Sequence, residues 1–183
     1  MHKIANDIRW LGSGTRAGIG EINLPEVQPG SSIMPGKVNP VIPESVIQAM
    51  AQVIGNDLAV CQAGQGGVFE LNMMMPVAAY NILESIDIIT ASVTNFAKQC
   101  IDGIEATAKG PEMVEQGLML GNALARAIGY DAAAAIAKEA LSKGATIREI
   151  ALQRTSLSPH ELDQLLNPEL MTIPGLGHGP SGG

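Results

Sequence analysis

The chain has 183 residues, of which 46% are hydrophobic and 16% charged, and 18 acidic against 11 basic side chains give it a formal net charge of −7. This is the composition of an ordered chain, long enough for one substantial domain or for a large one and a small one. It excludes a disordered chain, and its acidic balance argues against a nucleic-acid partner, whose phosphates require clustered Lys and Arg.

Aromatic residues are only 3% of the chain, so the core is aliphatic and suits long helices better than a sandwich rich in β-branched and aromatic residues. Residues 3–11 read as the tail of a helix, because Ile4, Ile8 and Leu11 share a face. The glycine-dense stretch GSGTRAGIG (12–20) reads as loop. Residues 21–40 follow with four prolines and no helical period.

The first long helix is predicted to start near Pro43 and Glu44, with a proline and a carboxylate in its opening turn. Ile47, Met50, Ile54, Leu58 and Cys61 recur along one face, and the helix is predicted to end at Gly64, Gly66 and Gly67. A second long helix follows Pro76. Its apolar stripe runs through Ala79, Ile82, Leu83, Ile86, Ile89, Val93, Phe96, Ala97 and Cys100. So small a chain cannot cover two such arcs. They call for helices from a partner chain or from a further part of the same protein, and a homo-oligomer is expected.

Beyond about residue 103 the texture changes to shorter helices with clear boundaries. Asp131 precedes an alanine-rich run (132–141) that Gly144 closes, and Thr146 with Glu149 and Ser158 with Glu161 have capping-box spacing. The expected fold is all-α, with long helices of a multi-subunit bundle followed by a small helical C-terminal subdomain. The expected boundaries are 1–106, containing a loop at 28–40 that carries the chemistry, then 107–173, then a disordered tail at 174–183.

No apolar run approaches the roughly 18 residues of a membrane span, and no signal-peptide pattern opens the chain. A cytoplasmic protein without a membrane partner is expected. Cys61 and Cys100, far apart and without a CxxC motif, read as small buried hydrophobes. No spacing of Cys, His, Asp and Glu suggests a metal site. Met73, Met74 and Met75 read as a packed helix entry, Asp57 and Glu84 as polar helix faces, and His160 and His178 as solvated residues.

The chemistry concentrates in GSSIMPGKVNP (30–40), which places two hydroxyls, an ammonium and a carboxamide between glycines and prolines. It is not a Walker A loop: five residues separate Gly30 from Gly36, and Val38 follows Lys37 where Ser or Thr is required. Lys37 can clamp a carboxylate or stabilise an alkoxide, Asn39 can donate to a carboxylate oxygen, and the glycines let backbone close over a ligand.

This stretch resembles the GSxxMxxKxN signature of the fumarase/aspartase superfamily at every position. IANDIRWLGSG, VIGND, FELN, NILES, CIDGIEA and IGYDAAAAIAKEAL extend the similarity to class II fumarases over nearly the whole chain. The resemblance implies that Ser31 is the base that removes the C3 proton of malate. It implies that Lys37 and Asn39 bind the adjacent carboxylate, that Ser32 and Val38 contact substrate, and that Glu44 pairs with a catalytic histidine. It implies no cofactor, a dicarboxylate substrate (malate or fumarate) and a tetramer. Family subunits are far longer, so the chain is expected to correspond to their C-terminal portion, with that histidine elsewhere. Two alternatives stand beside fumarate hydratase: aspartate ammonia-lyase, which tends to have alanine at Gly36, and a catalytically silent helical oligomerisation fragment.

Overall fold

The computed structural model describes residues 1–14, 16–29, 34 and 36–173. They form two compact units, one from Met1 to Thr107 and one from Ala108 onward. The expected tail at 174–183 lies outside the described residues. Both units are helical, in keeping with the all-α expectation.

The first unit contains α1 (His2–Leu11), β1 (Ile22–Asn23), α2 (Val41–Gln65), α3 (Met75–Gln99), a 3₁₀ turn (Ile101–Gly103) and β2 (Glu105–Ala106). Helix α2 starts two residues before the expected position, capped by Pro40. Pro43 then occupies the third helical position, where its missing N–H removes no intrahelical bond. At the other end the helix passes through Gly64 and stops only at Gly66. An added Cβ at Gly64 would meet nothing within 4 Å, so this glycine marks no close approach.

Ala5, Val46, Met50, Phe96 and Cys100 are buried together, with Ile8, Leu24, Ile42 and Ile89 packed around them. This core ties α1 to the first turns of α2 and the last turns of α3. Farther along, Asn56 of α2 meets Glu84 and Ser85 of α3, so the two helices run in opposite directions. Full burial of a side chain the size of Phe or Met contributes about 1.5–3 kcal/mol, which makes the Phe96 end the well-anchored one.

The rest of the predicted stripe is not buried. Ile54, Leu58, Ile82, Leu83 and Ile86 are exposed, because among the described residues α3 has α2 as its main helical partner. Cys61 also departs from its expected burial and is exposed, whereas Cys100 is buried. Met73 and Met75 are exposed rather than packed. Strands β1 and β2 pair antiparallel, with Ile22 opposite Ala106 and Asn23 opposite Glu105. Two-residue strands carry no readable period, so hydrophobic patterning does not reveal them.

The second unit runs through α4 (Lys109–Gln116), a 3₁₀ turn (Leu118–Leu120), α5 (Gly121–Ile128), α6 (Tyr130–Lys143), α7 (Ile147–Arg154), α8 (Pro159–Leu165) and α9 (Pro168–Met171). Both capping boxes form: the Thr146 and Ser158 hydroxyls accept from the Glu149 and Glu161 amides, and each glutamate accepts from its cap residue's amide. Helix α6 begins at Tyr130, which puts Asp131 inside its first turn, and it closes at Gly144. The unit has its own aliphatic core, built around Leu120, Leu124, Ile136, Ile147, Ile150, Leu162 and Leu166. Among the described residues no helix is long and apolar enough to cross a membrane.

Candidate active site

The segment between β1 and α2 and the turn after α1 border one cavity of about 490 Å³. Arg9 and Trp10 come from the last turn of α1, and Gly12, Ser13 and Gly14 from the turn that follows. Met34 and residues 36–40 come from the loop, and Glu44 from the first turn of α2. Helix α1 reaches this place because Ala5 and Ile8 pack into the core beside Val46.

The turn after α1 is held by hydrogen bonds. The Ser13 hydroxyl donates to the Trp10 carbonyl and accepts from the Ile19 amide at 3.2 Å. Gly18 lies so close that a Cβ there would stand 2.0 Å from the Ser13 carbonyl oxygen. Only glycine fits. In the loop, the Lys37 amide donates to the Met34 carbonyl at 3.2 Å, and Gly36 adopts φ +77°, a region that favours glycine. The Val41 amide donates to the Asn39 carbonyl at 2.8 Å, linking the loop to the start of α2.

Lys37, Val38, Asn39 and Glu44, all singled out from the sequence, line this cavity together. Ser31 and Ser32 lie outside the described residues. Lys37 and Val38 are exposed, whereas Asn39 and Glu44 are half-buried. Glu44 Oε1 is 3.5 Å from Arg9 Nη2, and Arg9 Nη1 donates to Asn6 Oδ1 at 3.2 Å. Two cationic side chains, a carboxamide and a carboxylate thus surround one space, enough to fix a carboxylate ligand and orient a proton-carrying group.

Arg9, Trp10 and Ser13 were not picked out from the sequence. They lie more than thirty residues from Glu44, and only the packing of α1 against α2 brings them to it. Among the described residues no cluster of three or more His, Cys, Asp or Glu could hold a metal ion. His160 is exposed at the start of α8.

Comparison with known proteins identifies what the chain is similar to. Residues 1–55, which include the loop and Glu44, match the family model described as "Lyase", and residues 122–173 match "Fumarase C C-terminus". Class II fumarate hydratase from Brucella suis is 51% identical over 175 residues, covering 95% of this chain and 38% of that protein. Aspartate ammonia-lyase from Bacillus subtilis is 49% identical, covering 96% of this chain and 37% of that protein. The crystal structure of a fumarate lyase:delta crystallin from Brucella melitensis matches with a TM-score of 0.83 at 50% identity, covering 94% of this chain and 38% of that one. A class II fumarase from Schistosoma mansoni matches with a TM-score of 0.82 at 35% identity, covering 93% of this chain and 36% of that one. The chain therefore spans less than two fifths of the length of these relatives. It belongs to the fumarase/aspartase superfamily of lyases and corresponds to a C-terminal portion of those enzymes.

Proposed function

We propose that this chain supplies part of the active site of a fumarate hydratase, which interconverts (S)-malate with fumarate and water. The observation that carries this reading is the convergence of Lys37, Asn39 and Glu44 on one cavity, within the same sequence stretch as Ser31 or just after it. In the dehydration direction Ser31, as the alkoxide, takes the C3 proton of malate. The electron pair moves into the adjacent carboxylate, which becomes an aci-carboxylate dianion. Lys37 and Asn39 bind that carboxylate more tightly as its charge grows, which lowers the barrier. Breakage of the C2–O bond then releases hydroxide, which leaves as water with a proton from a general acid outside this chain.

Glu44 orients and charges a histidine contributed by another part of the enzyme, while Ser32 and Val38 contact substrate. The same reading makes 1–106 the end of a bundle domain and 107–173 a small following domain, in a cytoplasmic homotetramer. A second reading, aspartate ammonia-lyase, draws support from the relative of that name at 49% identity.

The test is an assay with malate and with aspartate, following fumarate by its ultraviolet absorbance. Residues 1–183 alone should turn over neither substrate, and supplying an N-terminal part from a relative should restore malate dehydration. Ser31→Ala should abolish that activity without disturbing assembly. Turnover of aspartate alone would favour the second reading, and full activity of the Ser31→Ala enzyme would overturn the base assignment.

A further inference from the structure

Arg9 has no role in the chemistry proposed so far, yet it reaches into the same cavity. Its guanidinium spans two partners: Nη1 donates to Asn6 Oδ1 on its own helix, and Nη2 faces Glu44 Oε1 on the next. Asn6 is one turn back on α1, so the Nη1 bond fixes the plane of the guanidinium before Glu44 is met. Arg9 Nε is buried and makes no hydrogen bond among the described residues. Glu44 in turn is engaged through Oε1 alone, with no hydrogen bond to Oε2 among the described residues.

An ion pair with both side chains more than a third exposed adds little to stability, so stability is a poor explanation for this arrangement. Its geometric effect is larger. Because Asn6 fixes the plane of the guanidinium, Nη2 meets Oε1 of Glu44 from one set direction, which a flexible, point-like ammonium would not reproduce. We propose that Arg9 is a positioning residue for the lyase reaction, holding the Glu44 carboxylate by one oxygen so that the other is presented to the proton-carrying group. This rests on the lyase reading above.

Arg9 does not touch substrate in this role. Its loss acts through Glu44, so kcat falls while substrate binding by Lys37 and Asn39 persists. A misplacement of about 1 Å in a catalytic constellation costs up to roughly 100-fold in rate. In the complete enzyme, assembled from this chain and its N-terminal part, Arg9→Ala should lower kcat about 10-fold to 100-fold and change KM for malate less than about threefold. Arg9→Lys should recover only part of the loss, because an ammonium keeps the charge and cannot hold Asn6 and face Glu44 in one plane.

The decisive comparison is with Glu44→Gln. Residues that act as one unit are non-additive, so Arg9→Ala combined with Glu44→Gln should be no slower than Glu44→Gln alone. Multiplied losses in the double variant would overturn the positioning role. So would an Arg9→Ala enzyme with unchanged kcat beside an active wild type. A wild-type enzyme inert toward both malate and aspartate would instead sink the lyase reading, and the role of Arg9 with it.

Discussion

Asn56 and Glu84 are joined across the α2–α3 interface, the carboxamide Nδ2 donating to Oε2 at 2.9 Å. Asn56 is only 3% exposed, and its Nδ2 also reaches the Ser85 hydroxyl at 3.1 Å while its Oδ1 accepts from Gln52 Nε2 at 2.9 Å. The Glu84 carboxylate accepts at its other oxygen from Tyr80, which pushes the phenol pKa up through that bond and the carboxylate's charge. Two otherwise aliphatic helices are thereby pinned in one register by a directional contact. Glu84, expected to lie on a polar helix face, instead faces the neighbouring helix.

Asn56→Ala should therefore cost about 1–3 kcal/mol, because Glu84 and Ser85 lose a buried partner. Asn56→Leu combined with Glu84→Leu should recover most of that loss, since Ser85 keeps its bond to the Asn81 carbonyl and the exposed Gln52 and Tyr80 can turn to solvent. Denaturant unfolding of the three chains checks both statements. An Asn56→Ala chain as stable as wild type would show that the clasp adds nothing.

Gly18→Ala should destabilise the first unit by about 1–3 kcal/mol, the usual cost of forcing atoms into a filled space. The new methyl would meet the Ser13 carbonyl oxygen at 2.0 Å, which obliges the backbone to move. Ser13 and Gly14 line the cavity, so on the proposed reading the complete enzyme should also lose activity. Thermal melts and the malate assay read the two effects separately.

On the proposed fumarate hydratase reading, Lys37→Met in the complete enzyme should lower kcat/KM for malate by about 100-fold to 1,000-fold, the scale for removing one group that stabilises charge in a transition state. Lys37→Arg should restore part of it, since the charge is retained in a different shape. Steady-state kinetics at saturating and sub-saturating malate decides the matter.

Glu139 makes stability depend on pH in the second unit. Arg154, chiefly by hydrogen bonding, and Lys143 hold its carboxyl at about 2, below the ordinary value of 4.5. A depressed folded-state pKa gives stability that is fully present above about 4.5 and is lost as pH falls toward about 2. Wild type should thus exceed Glu139→Gln at neutral pH, with the gap closing through that window. A gap independent of pH would contradict the assignment.

Ser158→Ala should cost about 1 kcal/mol, the typical value for removing an N-cap. Its hydroxyl caps α8, and the Ser158 backbone amide and hydroxyl hold the Glu161 carboxyl below the usual range. The titration of Glu161, followed by carbon-13 resonance, should therefore move upward in the Ser158→Ala chain. An unchanged titration would show that the hydroxyl contributes nothing to that shift.

Local signals read best where the physics itself is local. The boxes at Thr146 and Ser158 need only three residues of spacing, and both form as the sequence indicates. Lys37 and Asn39 stood out because an ammonium and a carboxamide are unusual in an otherwise aliphatic chain, and Glu44 was singled out as a site residue only through the resemblance; all three line one cavity. Arg9 and Asn56 were not, since each acquires meaning from a partner on another helix, 35 or 28 residues away. The apolar periods of α2 and α3 correctly indicated helices and overstated burial, because periodicity reports which face is apolar and says nothing about whether anything covers it.

The placement of the first unit's core has a consequence for how α2 unravels. Val46 and Met50 are clamped beside Ala5 and Phe96, while Ile54, Leu58 and Cys61 face outward. Amide hydrogens should therefore exchange slowest between Val46 and Asn56, where the core and the contact with Glu84 hold the helix, and faster toward Gln65. When the isolated chain opens by local fluctuation, α2 peels from its far end back toward Asn56, and the turns around Val46 and Met50, just beyond Glu44, are the last to let go.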